Sequence, residues 1–289
     1  MIAVILAGGE GTRLRPLTEW LPKPMLPIAN RPFLEHQIEH LHRHGITRVI
    51  LSCGYLPDPI RDHFGDSLEY AVEPEPLGTG GAIGFAAAGI GETFVVCNGD
   101  VLTDLDLTAL LAMHHDRGAR ATIALHQVAD PSPYGLVRTD AEGAVTAFVE
   151  KPGAGEADVD TINAGTYVIE PEVLRLIEPE RMVSVEREVF PRLVGSGLWA
   201  KADAGRWRDI GTPESYLAAN LERMPDGGLI DPSAVVDAAA DVADSVIGAG
   251  VRVQAGARVR WCVVLPGAVV RSGSAFDGQI VGRDGEPVW

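Results

Sequence analysis

The chain has 289 residues, 46% hydrophobic and 22% charged, the profile of a globular protein with a sizeable core rather than a disordered or fibrous one. Its 24 basic and 40 acidic residues give a net charge of −16 without any basic run. That argues against nucleic-acid binding by phosphate neutralisation, so an anionic ligand would need a local positive pocket. No apolar stretch reaches the about 18 residues of a membrane span, and the apolar start lacks the basic flank of a signal peptide. No membrane partner and a cytoplasmic location are therefore expected.

Residues 2 to 7 read as an apolar strand that runs into a glycine turn, Leu6-Ala7-Gly8-Gly9-Glu10-Gly11-Thr12. Glycine lets backbone N–H groups come close enough to wrap phosphate oxygens, and Arg13 and Lys23 add fixed positive charge. The turn is not a Walker A loop, because it lacks Gly-Lys-Ser/Thr, and Leu14 stands where GxGxxG has its third glycine. Only three of the 24 basic residues are lysines: Lys23, Lys151 and Lys201. In a chain that otherwise uses arginine, a lysine in a Gly/Pro-rich segment points to a need for a compact charge.

A helical pattern follows at residues 32 to 44, with Leu34, Ile38 and Leu41 on one face and His36, His40 and His44 on the other. His36-Gln37-Ile38-Glu39-His40 spells the HxxEH of an inverted zinc-peptidase motif, but histidines on the polar face are expected in water. Short apolar runs at 48 to 53, 94 to 97 and 121 to 125 alternate with helical patterns such as Leu105 to His115. This alternation predicts an α/β fold with a Rossmann-like, mostly parallel mixed sheet flanked by helices. Asp100 follows the strand Phe94-Val95-Val96-Cys97 at its carboxyl end, where such sheets present ligand groups. Cys53, Cys97 and Cys262 lie far apart without a CxxC pair and are expected as buried small hydrophobes.

From about residue 226 small residues with Val and Ile take over. Ile230, Val236 and Val242 lie six apart, and after a five-residue step the series resumes at Ile247, Val253, Val259 and Leu265. Hexads of this kind predict a short C-terminal left-handed parallel β-helix of two or three coils. Two domains are thus expected, 1–225 and 226–289, and the open coil end favours a homo-oligomer, a dimer or tetramer.

The run Gly8-Gly9-Glu10-Gly11-Thr12-Arg13-Leu14-Arg15-Pro16-Leu17-Thr18 with Pro22-Lys23-Pro24 closely resembles the signature of the sugar-1-phosphate nucleotidylyltransferases. Further segments like those of the family follow in the same order. They are Pro76-Leu77-Gly78-Thr79-Gly80-Gly81, Asn98-Gly99-Asp100, Tyr134-Gly135, Phe148-Val149-Glu150-Lys151-Pro152, Asn163-Ala164-Gly165 and Trp207-Arg208-Asp209-Ile210-Gly211-Thr212-Pro213. The resemblance covers essentially the whole chain. Within the family the chain is most similar to the mannose-1-phosphate and heptose-1-phosphate guanylyltransferases.

The resemblance implies that Leu6, Ala7, Gly8, Gly9, Gly11, Thr12, Arg13, Lys23, Glu73, Pro76, Gly78, Thr79 and Asp100 bind the nucleotide. Gly135, Glu150, Lys151, Asn163 and Gly165 would bind the sugar phosphate. Asp100 and Asp209 would together hold Mg²⁺, which favours a few hard oxygen ligands plus phosphate oxygens. Glu73 stands where relatives that use thymidine or uridine nucleotides tend to carry Gln. A carboxylate can accept the paired N1–H and 2-amino donors of guanine, which tilts the expected NTP to GTP.

The implied reaction is an in-line attack of the sugar 1-phosphate on the α-phosphorus of the NTP, with release of pyrophosphate and no covalent intermediate. Arg13, Lys23, Asp100, Lys151 and Asp209 would be its catalytic set. Other readings keep the chemistry and change the substrates: thymidylyl, uridylyl or adenylyl transfer to a hexose 1-phosphate, or guanylyl transfer to a heptose or cyclitol phosphate. A catalytically silent nucleotide-sugar-binding regulator is a reading of another class, set against the completeness of the charged set. An acyltransferase is disfavoured because the tail holds no histidine to act as base.

Overall fold

The computed structural model describes residues 1–9, 11–19, 21–54, 58–149, 159–179 and 181–289. They form two compact units, Met1–Gly9 with Gln37–Trp207, and Glu10–His36 with Arg208–Trp289.

The first unit is built on a mixed nine-stranded sheet. Its first strand, Ile2–Leu6, is apolar on both faces and buried over most of its length, as expected of a strand covered from both sides. Strands Arg48–Cys53 and then Glu69–Val72 add in parallel on one flank. Strand Phe94–Asn98 returns to pair in parallel on the other flank, with Leu6 opposite Asn98. The strand order therefore reverses between Ile2–Leu6 and Phe94–Asn98, and in open α/β sheets such a switch point leaves a crevice at the carboxyl ends.

Beyond Phe94–Asn98 the sheet continues antiparallel through Thr161–Ile169, which also pairs with Ala121–Gln127. Its register on Ala121–Gln127 shifts between Asn163 and Tyr167, with Gly165 at φ 71°. This is a bulge, the device by which a strand re-aims side chains beside a site. Leu198–Asp203 pairs in parallel with Ala121–Gln127, while Leu136–Thr139 and Val145–Val149 complete the antiparallel flank. The expected mixed, mostly parallel core of the sheet is thus present, with an antiparallel wing.

Helix Phe33–Arg43 departs from its wheel. The buried stripe is Phe33, Leu34, Gln37, His40 and Leu41, while Ile38 is only half-buried. The stripe is turned by about one position because Gln37 points inward, its Nε2 donating to the carbonyls of Asn98 and Val101 at 2.9 Å each. The three histidines are correspondingly not in open water. His40 is 6% exposed, His36 lies 2.8 Å from the Ile28 carbonyl oxygen, and His44 bonds the Thr108 hydroxyl at 2.8 Å. Cys53 and Cys262 are buried as expected, whereas Cys97 is half-buried.

In the second unit the C-terminal region is a left-handed parallel β-helix. Leu229 pairs with Val246, Val246 with Val263, and Val263 with Ile280, so each coil takes 17 residues. The other two walls repeat at the same step, Val236 on Val253 on Val270 and Val242 on Val259 on Phe276. The five-residue step is therefore a feature of every coil. The residue stacked on Ile247 is Val264, one position before the Leu265 expected from an unbroken hexad. Ile247, Val253, Val259, Val264 and Val270 are almost fully enclosed, while Ile230 in the first coil is 48% exposed.

Helix Pro213–Arg223 starts on a reciprocal cap between Thr212 and Ser215 and has Pro213 in its first turn. Its buried face fixes the hairpin at 27–32: Tyr216 donates to the Pro27 carbonyl at 2.7 Å and Asn220 Oδ1 accepts the Ala29 N–H at 2.9 Å. Asn30 in turn donates to the Ile247 carbonyl of the β-helix at 2.8 Å. Among the described residues no helix is long and apolar enough to cross a membrane.

Candidate active site

In the first unit the glycine turn leaves the carboxyl end of strand Ile2–Leu6. The Ala7 N–H is tied to the Ser52 carbonyl at 2.7 Å, after which Gly8 and Gly9 are exposed. A Cβ at Gly9 would meet nothing within 4 Å, so the backbone there is open to a ligand. The neighbouring turn carries Asp100. It is drawn against the first strand by the Gly99 N–H, which donates to the Leu6 carbonyl at 2.8 Å. A Cβ at Gly99 would lie 2.4 Å from that oxygen, so no other residue fits. Gln37 holds the same turn through two of its carbonyls, and this residue was not singled out in the sequence.

Glu73 is 6% exposed and faces the glycine turn, its Oε1 lying 3.6 Å from where a Gly8 Cβ would be. Its carboxylate accepts the Ser52 hydroxyl at 3.0 Å and the Leu77 N–H at 3.1 Å. Glu73 thus braces its own loop, with lone pairs left on both oxygens. Burial pushes the adjacent Cys53 thiol up to about 11, with the Glu73 charge adding to the effect. This thiol is not a nucleophile near neutral pH.

At Pro76-Leu77-Gly78-Thr79 the glycines serve close packing. A Cβ at Gly78 would lie 2.7 Å from the Val183 carbonyl oxygen, which also accepts the Gly80 and Gly81 N–H groups. Those two amides at the start of helix Gly78–Ala86 are therefore already bonded within the protein. Thr79 donates to Glu186 at 2.7 Å.

The segments expected to bind sugar adjoin the Asp100 turn. Gly165, in the bulge, sits where a Cβ would be 2.6 Å from Asn98 Nδ2. The Asn163 N–H is fixed by the Gly135 carbonyl at 2.9 Å, and its side chain accepts the Gly165 N–H at 3.0 Å. Trp207 donates from its indole to the Ala164 carbonyl at 2.9 Å and lies against His126 and Tyr134, with ring centroids 5.6 and 5.4 Å away. The first unit therefore gathers the glycine turn, Glu73 and Asp100, at the carboxyl ends of parallel strands, and Gly135, Asn163 and Gly165, at or near the amino ends of antiparallel ones, along one edge of the sheet. Glu150 and Lys151 lie outside the described residues.

In the second unit the rest of the signature folds on itself. Gly11 takes φ 63°, and the Thr18 hydroxyl donates to its carbonyl at 2.9 Å. A Cβ at Gly11 would be 2.9 Å from Thr18 Cγ2 and 3.6 Å from Lys23 Cβ, so Gly11, Thr18 and Lys23 cluster. Leu14 and Leu17 anchor the segment by full burial, leaving Thr12 and Arg13 exposed. A Cβ at Gly211 would lie 2.8 Å from Asp209 Oδ1 and 2.9 Å from Arg13 Nη2. The Arg13 guanidinium and the Asp209 carboxylate thus flank one point kept open by a glycine. Arg208, the residue before Asp209, forms an ion pair with Glu222.

A glycine turn at a sheet switch point suits phosphate binding but leaves the reaction open. The comparisons with known proteins narrow it. The sequence model described as Nucleotidyl transferase matches residues 2–224. A mannose-1-phosphate guanylyltransferase of Mycobacterium tuberculosis (strain ATCC 25618 / H37Rv) is 40% identical over 95% of this chain and 82% of its own length. A probable mannose-1-phosphate guanylyltransferase 3 of Oryza sativa subsp. japonica is 36% identical over 98% of this chain and 86% of its own. Among solved structures, HddC from Yersinia pseudotuberculosis complexed with GMP-PN is 34% identical, with a TM-score of 0.65 over 76% of this chain and 98% of its own. Motif order, switch-point geometry and these likenesses agree, and the chain belongs to the nucleotidyl transferase family.

Proposed function

We propose that this protein transfers GMP from GTP to a sugar 1-phosphate of manno configuration, giving a GDP-sugar and pyrophosphate. The observation that carries this reading is the juxtaposition, in the first unit, of the open Gly8-Gly9 turn and the Asp100 turn with the Asn163–Gly165 bulge. It supports reading the open backbone as a phosphate site next to groups suited to sugar hydroxyls. The guanylyltransferase names of the relatives, the GMP-PN bound to the solved relative and the carboxylate of Glu73 support guanine as the base.

In this reading an oxygen of the sugar 1-phosphate forms the new bond to the α-phosphorus, and the bond from that phosphorus to the bridging oxygen of the β-phosphate breaks. Pyrophosphate leaves in line, opposite the incoming oxygen. The Gly8-Gly9 amides and Arg13 hold the triphosphate, with Arg13 on the departing pyrophosphate. Lys23 neutralises charge at the α-phosphate and Lys151 aligns the attacking phosphate. Such positioned charges act chiefly on charge developing in the transition state.

Asp100 and Asp209 would supply hard carboxylate oxygens, the donor type that Mg²⁺ takes. Among the described residues no group of three or more His, Cys, Asp or Glu forms a cage. A two-carboxylate donor set suits a cation that completes its shell with water and phosphate oxygens. When bound, Mg²⁺ would neutralise charge on the triphosphate.

The test is pyrophosphate release across four NTPs and the 1-phosphates of mannose, glucose and a heptose, with Mg²⁺ and with EDTA. One dominant, EDTA-sensitive cell at GTP with mannose 1-phosphate is expected. A dominant cell elsewhere would reassign the substrates, and an empty grid with tight GDP-sugar binding would replace catalysis with a regulatory binding role.

A further inference from the structure

The first unit contains a hydrogen-bonded chain that runs from the nucleotide segment to the sugar segment through a residue not yet given a role. Glu186 lies in a π-helical turn, Val185–Val189, a form that is often found at functional positions. Its Oε2 accepts the Thr79 hydroxyl at 2.7 Å and the Ser184 hydroxyl at 2.8 Å, and its Oε1 accepts the Tyr167 hydroxyl at 3.3 Å. The Thr79 oxygen also accepts the Val185 N–H at 3.0 Å, which leaves its proton to point at Glu186. Tyr167 is fully buried and rests edge-on against Phe190, with ring centroids 4.9 Å apart. Its oxygen accepts Asn163 Nδ2 at 2.9 Å.

The polarity of every link is determined. The Gly165 N–H can only donate, so the Asn163 atom facing it is Oδ1. The amide atom facing Tyr167 is then nitrogen, which can only donate, so the phenol oxygen accepts and sends its own proton on to Glu186. The Glu186 oxygens accept from all three hydroxyls and end the chain. Fixed in this way, and counting the bonds to Tyr167 and Gly165 among the described residues, Asn163 offers one N–H and one carbonyl lone pair to a ligand, at set positions and with set polarity.

We propose that Glu186 is a positioning residue that, through Tyr167, locks the Asn163 amide in the orientation that reads a sugar hydroxyl. The same carboxylate is anchored by Thr79, so the lock is tied to the start of the nucleotide-binding helix. This inference rests on the reading of Asn163 as a sugar contact given above.

Glu186→Gln replaces one acceptor oxygen with a donor. The remaining oxygen keeps the side that accepts two hydroxyls, Thr79 and Ser184, so the new donor faces Tyr167; the phenol proton then turns toward Asn163, and the amide must flip and lose the Gly165 N–H. Tyr167→Phe removes the link without changing the shape. Both variants are expected to raise KM for the sugar 1-phosphate on the order of tenfold, the scale of a lost hydrogen bond to a charged network. In Tyr167→Phe the KM for the NTP should stay within about twofold, and the double variant should be no worse than the worse single one.

A readout that needs no substrate is the pair of Asn163 side-chain amide resonances in ¹⁵N–¹H spectra, assigned by their loss in Asn163→Asp. One proton should exchange slowly in the parent protein, and this protection should be lost in both variants. Unchanged Asn163 resonances in Glu186→Gln and Tyr167→Phe, or additive KM effects, would overturn the proposal. A parent enzyme that turns over no sugar phosphate while its Asn163 proton behaves as described would instead count against the proposed function alone.

Discussion

Single residues in this protein act by being small or by being dry. Gly211 is the first kind: a methyl group there would press on Asp209 Oδ1 and Arg13 Nη2, both ends of side chains that can move. Gly211→Ala should therefore leave the melting temperature within about two degrees and lower the turnover on the order of tenfold or more, as for loss of a preorganised charge. Initial rates alongside a melting curve check this. His114 is the second kind, 1% exposed, with its ring nitrogens bonded to Thr122 at 2.8 Å and Glu170 at 3.0 Å. Burial holds its pKa below the ordinary 6.5, outweighing the Glu170 carboxylate that pulls it up. The unfolded chain then binds a proton that the folded one refuses, so this contribution is complete above about pH 6.5 and declines as pH falls through the depressed value. Burial alone would raise the Glu170 pKa, yet hydrogen bonds from Thr93 and His114 hold it low, so its share is lost only at more acidic pH. Melting temperature should fall from pH 7 to pH 5, and His114→Gln should flatten that slope; an equal slope in both proteins would refute the assignment. Neither residue's part could be read from the sequence, since both depend on neighbours distant along the chain.

At the level of elements, the turns matter more than the strands they join. The Gly99 turn is packed so tightly on the Leu6 carbonyl that Gly99→Ala must displace backbone, which side-chain rearrangement cannot relieve. We expect that variant to lose both stability, on the order of 1–3 kcal/mol, and nucleotide binding, measured by chemical denaturation and by calorimetry with GTP. The strands around this turn were readable in advance, because Ile2–Leu6, Arg48–Cys53 and Phe94–Asn98 are short apolar runs bounded by polar or glycine residues. So was the position of Asp100, because a strand end in a parallel sheet is a place for ligands. The orientation of helix Phe33–Arg43 was not. Apolar periodicity pointed to Ile38, but two backbone carbonyls claimed Gln37 and turned the stripe. Periodicity weighs apolar side chains and has no account of a buried amide serving a distant turn. The same blindness hid Glu186, whose partners Thr79 and Tyr167 lie far from it in sequence. It also hid the packing role of Gly78 and Gly80, which press on Val183, and of Gly81, which presses on Leu77 and the Arg181 carbonyl.

Across the whole molecule, each compact unit is assembled from separate stretches of chain, and two of the crossings fall within the signature motifs, at Gly9–Glu10 and Trp207–Arg208. The second unit binds the Arg13 and Lys23 segment to helix Pro213–Arg223 and, through Asn30, to the β-helix. Hexads announced the coils, but their true period became visible only through strand pairing, with 17 residues from Leu229 to Val246 and again to Val263 and Ile280. That period sets a rule for how this tail can change length during descent. Inserting one residue into a coil moves every later Val and Ile of that wall to the opposite face and exposes what had been enclosed. Copying one whole coil leaves each wall in phase and adds another layer of the same interior. A tandem copy of residues 246–262 should accordingly yield a folded, soluble protein, whereas copies one residue shorter or longer should precipitate or melt early. Length variation among descendants of this tail is then quantised: gene segments encoding it can be gained or lost in whole turns, while single-codon changes are confined to the corners.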